Sequence, residues 1–445
     1  MNVASSDRMH EYAQRRAELL TLLGPHSVAI VASTPSATRN SDVEHAFRQD
    51  SDLFYLSGLD EPGVVLVLTN QHASHRFVLF VRPRDAEREM WDGRRAGVEG
   101  AKERYGADEA YPIGELAEKL PGYFENARRV MYAAGRFPSI DTRVFAALHH
   151  TRRRQRLGVL APDAMLEPSA LHTMRLCKSS IEIDAMRKAA EATAEGHAQA
   201  MRVALPGKYE YDVEAELLRS FRRHGAARPA YDAIVGSGPN ACILHYREND
   251  RRMEAGDLCL IDAGAEWGYY AADVTRTFPV SGRFTPAQRR LYDAVLRAQL
   301  EAIELTVPGA SLELIHQATV RSLTESMLSL GLLRGMSVEE AIERDEYKKF
   351  YPHRTSHWLG MDVHDVGSYH VEDGEQLIPR PLARGQVLTI EPGLYVPENA
   401  DVDPEYRGQG IRIEDDVLVT ATAHEVLTAM IPKDPDEVER LLAAR

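Results

Sequence analysis

The sequence predicts a mixed α/β (α+β) protein built in two parts. Three observations carry this. Short apolar runs alternate with helical stretches in the first third of the chain, as in an α/β layer over a buried sheet. Long amphipathic helices and strand-rich stretches then follow one another through the remainder. The length of 445 residues also exceeds what one core usually supports.

Residues 8–23 read as a helix, with Tyr12, Leu19, Leu20 and Leu23 on one side. The runs SVAIVAS (27–33), LFYLSG (53–58), VVLVLTN (64–70), RFVLFV (76–81) and VMYAAG (130–135) read as strands. Helices are expected at 98–105, 113–126 and 139–151. The basic cluster Arg152, Arg153, Arg154 and Arg156 reads as a solvated face. A proline-punctuated stretch follows, and the boundary between domains 1–172 and 173–445 is placed there. The second part opens with a helix at 180–204, capped by Ser179 or Ser180 and closed by Pro206-Gly207. Further helices are expected at 210–224, 285–306, 311–330 and 434–443, with strand-rich sequence at 231–280 and 350–431.

The formal net charge of −14 argues against nucleic acid or an anionic membrane as a partner. No apolar run reaches the ~18–20 residues of a membrane span, and the N-terminus lacks a signal-peptide core. Cys177, Cys242 and Cys259 are scattered, with no CxxC pair, so a disulfide framework and a thiolate zinc site are both disfavoured. A reducing cytoplasm fits this usage.

A weak repeat relates Gly256–Gly264 (GDLCLIDAG) to Gly385–Gly393 (GQVLTIEPG): a polar turn, an apolar strand, an acid and a glycine. The acids are Asp262 and Glu391. Each unit carries a second acid further on, Asp273 in AADVTRTF and Glu414 in GIRIEDD, and His357 lies between them in HRTSHWLG. Taken singly, each acid reads most simply as an ion-pair member. Together they form a set that burial would force to be paired, protonated or metal-bound. Asp262 and Asp273 flank AGAEWGYYAA, which reads as a hairpin with its turn around Glu266–Gly268.

Four carboxylates and one imidazole suit two divalent cations. Oxygen-rich ligation favours Mn²⁺, Mg²⁺ or Fe²⁺, and a zinc site more often recruits further His or Cys; Mn²⁺ is the ion expected, with Co²⁺, Fe²⁺ and Zn²⁺ as alternatives. Such a pair lowers the pKa of a bridging water and polarises a carbonyl, which is the chemistry of peptide, amide or ester hydrolysis. His245, His353 and His364 lie near these motifs and suit hydrogen-bond donation or proton transfer. Arg412, two residues before Glu414 on a strand, shares its face and suits a supporting partner for a ligating carboxylate. No GxSxG elbow occurs, and Gly236-Ser237-Gly238 lacks a full dinucleotide fingerprint.

The order Asp…Asp…His…Glu…Glu, with IDAG, DVTRTF, SHWLGMDVHD, TIEPGLY and GIRIEDD around it, resembles the pita-bread metallopeptidases. The N-terminal segments NSDVEHAFRQDSDLFYLSGLDEP (40–62) and MWDGRR (90–95) are similar to those of bacterial aminopeptidase P, the Xaa-Pro aminopeptidases. The resemblance implies an N-terminal α/β domain that serves as substrate wall and oligomerisation element. After it comes a C-terminal pita-bread (creatinase/methionine aminopeptidase-like) domain. It implies Asp262, Asp273, His357, Glu391 and Glu414 as metal ligands, with Asp273 and Glu414 bridging. Glu391 would handle the proton, while His245 and His364 hold substrate and intermediate. His353 would line the prolyl side, Tyr395 and Arg412 would support the ligands, and Asp42 and Trp91 would supply walls, in some members across a subunit interface. The implied reaction is release of the first residue from peptides with proline second, by a homo-oligomer (dimer or tetramer). Prolidase, restricted to Xaa-Pro dipeptides, is the neighbouring alternative, and a non-catalytic module on the same fold the remote one. The segment around Ser368–Gln376 is longer than the family pattern, which bears on the rim of the site and not on the ligands.

Overall fold

The structure is a computed structural model that describes residues 6–72 and 74–444. The chain divides into two compact units, Met1–Met174 and Arg175–Arg445, with the division inside the helix Ser169–Leu176.

The first unit is built on a six-stranded mixed sheet. Its order is Glu109–Pro112, Phe77–Val81, Val65–Thr69, Ser27–Ala32, Arg129–Met131 and Ala164–Leu166. Ser27–Ala32, Val65–Thr69 and Phe77–Val81 are buried along their whole length, which is why they are continuous apolar runs and not alternating ones. Val28, Ile30, Val67 and Phe80 pack on Leu116, Leu120, Phe124 and Leu148 of the covering helices.

One expected strand is a helix. LFYLS of this run lies within the helix Ser51–Ser57, and its Gly58 is the C-cap. The Asp50 carboxylate accepts from the Leu53 N–H at its start, and Gly58, in the left-handed region at φ 66°, closes its end. These caps outweigh the apolar run. Asp42 lies in the turn between the short strands Thr38–Asn40 and Val43–Glu44, and Trp91 lies in the helix Ala86–Asp92, which the sequence reading had not marked.

The second unit opens with the helix Ser180–Val203, where Ser179 and Glu182 form a reciprocal capping box. Two of the three-stranded sheets that follow carry the acids at their strand ends. One contains Ile234–Ser237, Leu258–Asp262 and Thr275–Pro279; the other contains Val387–Ile390, Asp415–Val419 and His424–Val426. Pro286–Glu304 and Leu312–Ser329 pack over them through cores that include Leu291, Val295, Leu323 and Ile315.

Between Asp262 and Asp273 the chain is not the single hairpin the sequence suggested. Leu258–Asp262 pairs with Thr275–Pro279, but Ala265–Trp267 turns back on Tyr270–Ala271 and joins Arg228–Pro229 in a separate sheet. Gly264 permits the crossing, since a Cβ there would sit 1.7 Å from the Ala272 carbonyl oxygen. The two strand pairs meet where Glu414 N–H donates to Thr275 O at 3.0 Å and the Thr277 hydroxyl donates to Arg412 O at 3.0 Å. The extra length noted after Ser368 forms a hairpin, His370–Asp373 with Gln376–Pro379.

Candidate metal centre and active site

Asp262 ends its strand, Asp273 lies two residues before Thr275–Pro279, Glu391 follows Val387–Ile390 and Glu414 precedes Asp415–Val419. Pairing places all four acids at strand ends, where side chains leave the sheet and converge on a cavity of about 940 Å³. Its lining holds Asp262, Asp273, His357, Glu391 and Glu414, together with Tyr231, His245, His353, His364 and Arg412. Ile234, Leu244, Val363 and Tyr369 supply apolar wall, and His370 and Pro379 bring the extra hairpin to the rim. Asp42 and Trp91 belong to the other unit and are exposed there.

The His357 segment runs beside Thr389–Glu391: Thr389 N–H donates to His357 O at 3.0 Å and Glu391 N–H to Thr355 O at 2.9 Å. His357 Nδ1 lies 3.0 Å from Trp358 O, which turns Nε2 toward the acids, 3.4 Å from Asp273 and 3.7 Å from Glu391. Asp273, His357 and Glu414 each offer a ligand atom within 4.8 Å of the others.

Arg412, expected to support a carboxylate, reaches across to the first strand pair. Its Nη2 donates to Asp262 Oδ2 at 2.6 Å, Nε to the Thr275 hydroxyl at 3.0 Å and Nη1 to the Tyr395 hydroxyl at 2.9 Å. Tyr395 in turn donates to His353 Nε2 at 2.9 Å, and His353 Nδ1 donates to Arg354 O at 2.8 Å. Burial and the Arg412 charge hold His353 down to about 3, so it is a neutral imidazole of defined tautomer.

The acids are out of balance without a cation. Burial, opposed by Arg412 and reinforced by Asp273, raises Asp262. Burial lifts Glu391 to about 7 against the pull of His357 and Arg412. Burial, then Asp273 and Glu391, push Glu414 well above the carboxylate range. His357 is raised to about 9: burial opposes its charge, but the Asp273 hydrogen bond and the Glu391 charge prevail. The Tyr231 hydroxyl faces Asp262 Oδ1 at 2.5 Å and Asp273 Oδ1 at 2.6 Å, and its single hydrogen cannot satisfy both. Hard divalent cations among these oxygens would relieve every one of these conflicts, so the donor set fits them.

His245 and His364 are exposed on the cavity wall, and the His364 ring meets His357 edge-on at 4.3 Å. Burial and the His357 charge lower His364. Sequence reasoning missed Tyr231, which sits in a loop with no motif around it. It also missed Thr275, whose hydroxyl donates to Glu414 Oε2 at 2.7 Å, and Asp416, whose carboxylate accepts from Asp273 N–H at 3.2 Å. Asp416 had a signal, since it follows Glu414 by two residues on the same face.

Residues 184–421 match the model of metallopeptidase family M24, and residues 12–132 match the aminopeptidase P N-terminal domain. The chain belongs to family M24. Within it, the chain is 43% identical over 436 residues to the Xaa-Pro aminopeptidase of Escherichia coli, covering 98% of each. It is 34% identical to human Xaa-Pro aminopeptidase 3, covering 97% of this chain and 85% of that protein. The solved structure of Pseudomonas aeruginosa aminopeptidase PepP superposes with a TM-score of 0.94 at 48% identity, covering 98% of each chain. Zn-substituted E. coli aminopeptidase P in complex with product superposes at 0.93 with 43% identity over 98% of each chain. This M24 chain is thus of the aminopeptidase P type and is a metallo-exopeptidase, and its acid–histidine cluster serves divalent metal ions. Among the described residues no helix is long and apolar enough to cross a membrane.

Proposed function

We propose that the chain releases the N-terminal residue from peptides with proline in the second position, using two divalent cations held by Asp262, Asp273, His357, Glu391 and Glu414. The observation that carries this is the set of three buried carboxylates, Asp262, Asp273 and Glu414, and the half-buried Glu391 around one imidazole at the cavity wall, in a chain similar along its length to Xaa-Pro aminopeptidases. Asp273 and Glu414 are assigned as the shared ligands. Their closeness to His357 supports that choice. Oxygen donors favour Mn²⁺; Co²⁺, Fe²⁺ and Zn²⁺ remain compatible with the same set. Bound there, the cations supply an acidified water and Lewis-acid pull on the scissile carbonyl.

The chain's own residues do the rest. Glu391, at the cavity wall among the proposed ligands, is assigned to take a proton and return it to the leaving nitrogen. His364 and His245 stand on the wall to donate hydrogen bonds to substrate oxygens. The neutral His353, fixed through Tyr395 and Arg412 to Asp262, lines the prolyl side and ties its position to that of a ligand. Proline offers no N–H, so recognition must come from shape and from the flanking carbonyls. Asp42 and Trp91 are assigned as further substrate contacts delivered within a homo-oligomer, a dimer or tetramer; Trp91 is 81% exposed in the single chain and free to serve so. A reducing cytoplasm suits the three free cysteines.

The test compares release of the first residue from Xaa-Pro-Yaa tripeptides and Xaa-Pro dipeptides by chelated protein reloaded with each ion. Preference for the tripeptide is expected. Strict dipeptide use points to a prolidase, and no turnover with any ion points to a non-catalytic module.

A further inference from the structure

We propose that Arg175, Lys178 and Asp365 form a buried clamp that positions His364 in the cavity, a proposal that rests on the reading of His364 as a substrate contact. Asp365 is the next residue after His364. Its Oδ1 accepts from Arg175 Nη2 at 2.6 Å and its Oδ2 from Lys178 Nζ at 3.1 Å. All three side chains are 2% exposed or less. Arg175 Nη2 also donates to Asp362 Oδ2 at 2.9 Å, so two carboxylates of the same loop meet two cations. Gly360 makes room: a Cβ there would lie 2.1 Å from Asp365 Oδ2 and 2.9 Å from Lys178 Cε.

Stability alone does not account for this cluster. Buried ion pairs often stabilise a fold no better than apolar side chains of like volume, whereas this cluster fixes the geometry of one loop through four charged side chains. The loop that needs such a geometry runs from His357 to Gly367 and holds neither a helix nor a strand among its residues. Among the described residues no hydrogen bond holds the His364 ring. Its orientation follows from the backbone and the edge contact with His357. That backbone is pinned by Asp365, through its side chain and through its N–H, which donates to Trp358 O at 2.9 Å. Lys178 is itself fixed, its N–H donating to Gly385 O at 2.8 Å at the start of the strand that leads to Glu391. The clamp therefore ties His364 to the same strand that presents a proposed ligand. Arg175 and Lys178 act through His364 and are positioning residues.

The test is a double-mutant cycle in metal-loaded full-length protein on a Xaa-Pro-Yaa peptide, with Lys178→Met and His364→Ala. Lys178→Met is expected to lower kcat about 10- to 100-fold with a smaller change in KM, because a small misplacement of a catalytic group has effects of that size. In the His364→Ala background the same change is expected to alter kcat by less than about twofold. Asp365→Glu keeps every charge and shifts the carboxylate by one methylene; it is expected to behave likewise and carries the cycle if Lys178→Met does not fold. Equal losses in both backgrounds, or no loss in wild type, overturn the clamp. So does failure of both variants to fold, which makes the cluster part of the scaffold alone. Normal activity of His364→Ala by itself instead overturns the role given to His364.

Discussion

In the first strand pair Asp262 stands opposite Thr275; in the second, one step beyond the Ile390–Asp415 pair, Glu391 stands opposite Glu414. The two registers superpose the pairs residue by residue. Asp262 then corresponds to Glu391, Thr275 to Glu414, and Asp273 to Arg412. The first pair thus carries acids at two places and a hydroxyl at the third, while the second carries acids at two places and a guanidinium at the third. The difference is complementary. Arg412 of the second pair holds Asp262 of the first, and Thr275 of the first holds Glu414 of the second. On the opposite side of the same strands, the corresponding residues Arg276 and Asp415 pair with each other at 2.7 Å. A site made from a repeated unit has become one in which neither copy is electrostatically complete without the other.

The sharpest way to break this comparison is to remove a shared acid from either half. Glu414→Ala and Asp273→Ala are each expected to lower kcat/KM about a thousandfold or more, on the order of 4 kcal/mol of transition-state stabilisation, with metal content falling from two ions per chain. Near-normal turnover or full metal content in either variant would falsify the two-cation assignment.

Next in size is the cross-support. Arg412→Ala leaves Asp262 buried without its cation and is expected to destabilise the metal-free C-terminal unit by about 3–5 kcal/mol. Metal is expected to restore part of that loss, because a cation then compensates Asp262. Equal destabilisation of chelated and loaded protein argues that Arg412 supports the fold and not the ligand.

The third expectation concerns pH in chelated protein. Glu391 keeps its proton up to about 7 in the folded chain, against an ordinary 4.5. Between these values the folded state binds more protons than the unfolded one. Its contribution to stability is therefore fully present below 4.5 and is lost as pH rises through 7, by on the order of 3 kcal/mol. Buried His197, held down to about 4 by burial, gives the opposite slope between 4 and 6.5. Below about 6.5, where His357 is protonated folded or unfolded, the difference between wild type and Glu391→Gln in thermal midpoint reads the acid; above it, the His357 shift that depends on Glu391 adds to it. A difference that is flat across this window contradicts the raised Glu391.

The smallest effect belongs to the hydroxyl. Thr275→Val removes the donor to Glu414 and an acceptor of Arg412 and is expected to cost about 1–2 kcal/mol, with turnover reduced far less than in Arg412→Ala. A Thr275→Val defect as deep as that of Arg412→Ala would make the two supports equal and erase the asymmetry between the halves.

Much of the site was legible in the residues. Asp262, Asp273, His357, Glu391 and Glu414 stood in motifs whose types and order pointed to paired cations, and the structure brings all five to one cavity. Strand periodicity placed Arg412 on the face of Glu414. The caps at Asp50 and Gly58, by contrast, were printed in the sequence but lost beside the apolar run between them.

The chain by itself determined the continuous apolar runs that become buried strands and the capping boxes that start the helices after Ser179, Thr285 and Ser337, because run length and capping are local. Only the tertiary structure decided that Arg412 serves Asp262, that Tyr231 bridges two aspartates and that Lys178 reaches Asp365. These partners are far apart along the chain, and no local pattern encodes which faces meet. Their meeting is settled by the pairing and packing of whole strands and helices, which bury the charges together and so force each to find its complement.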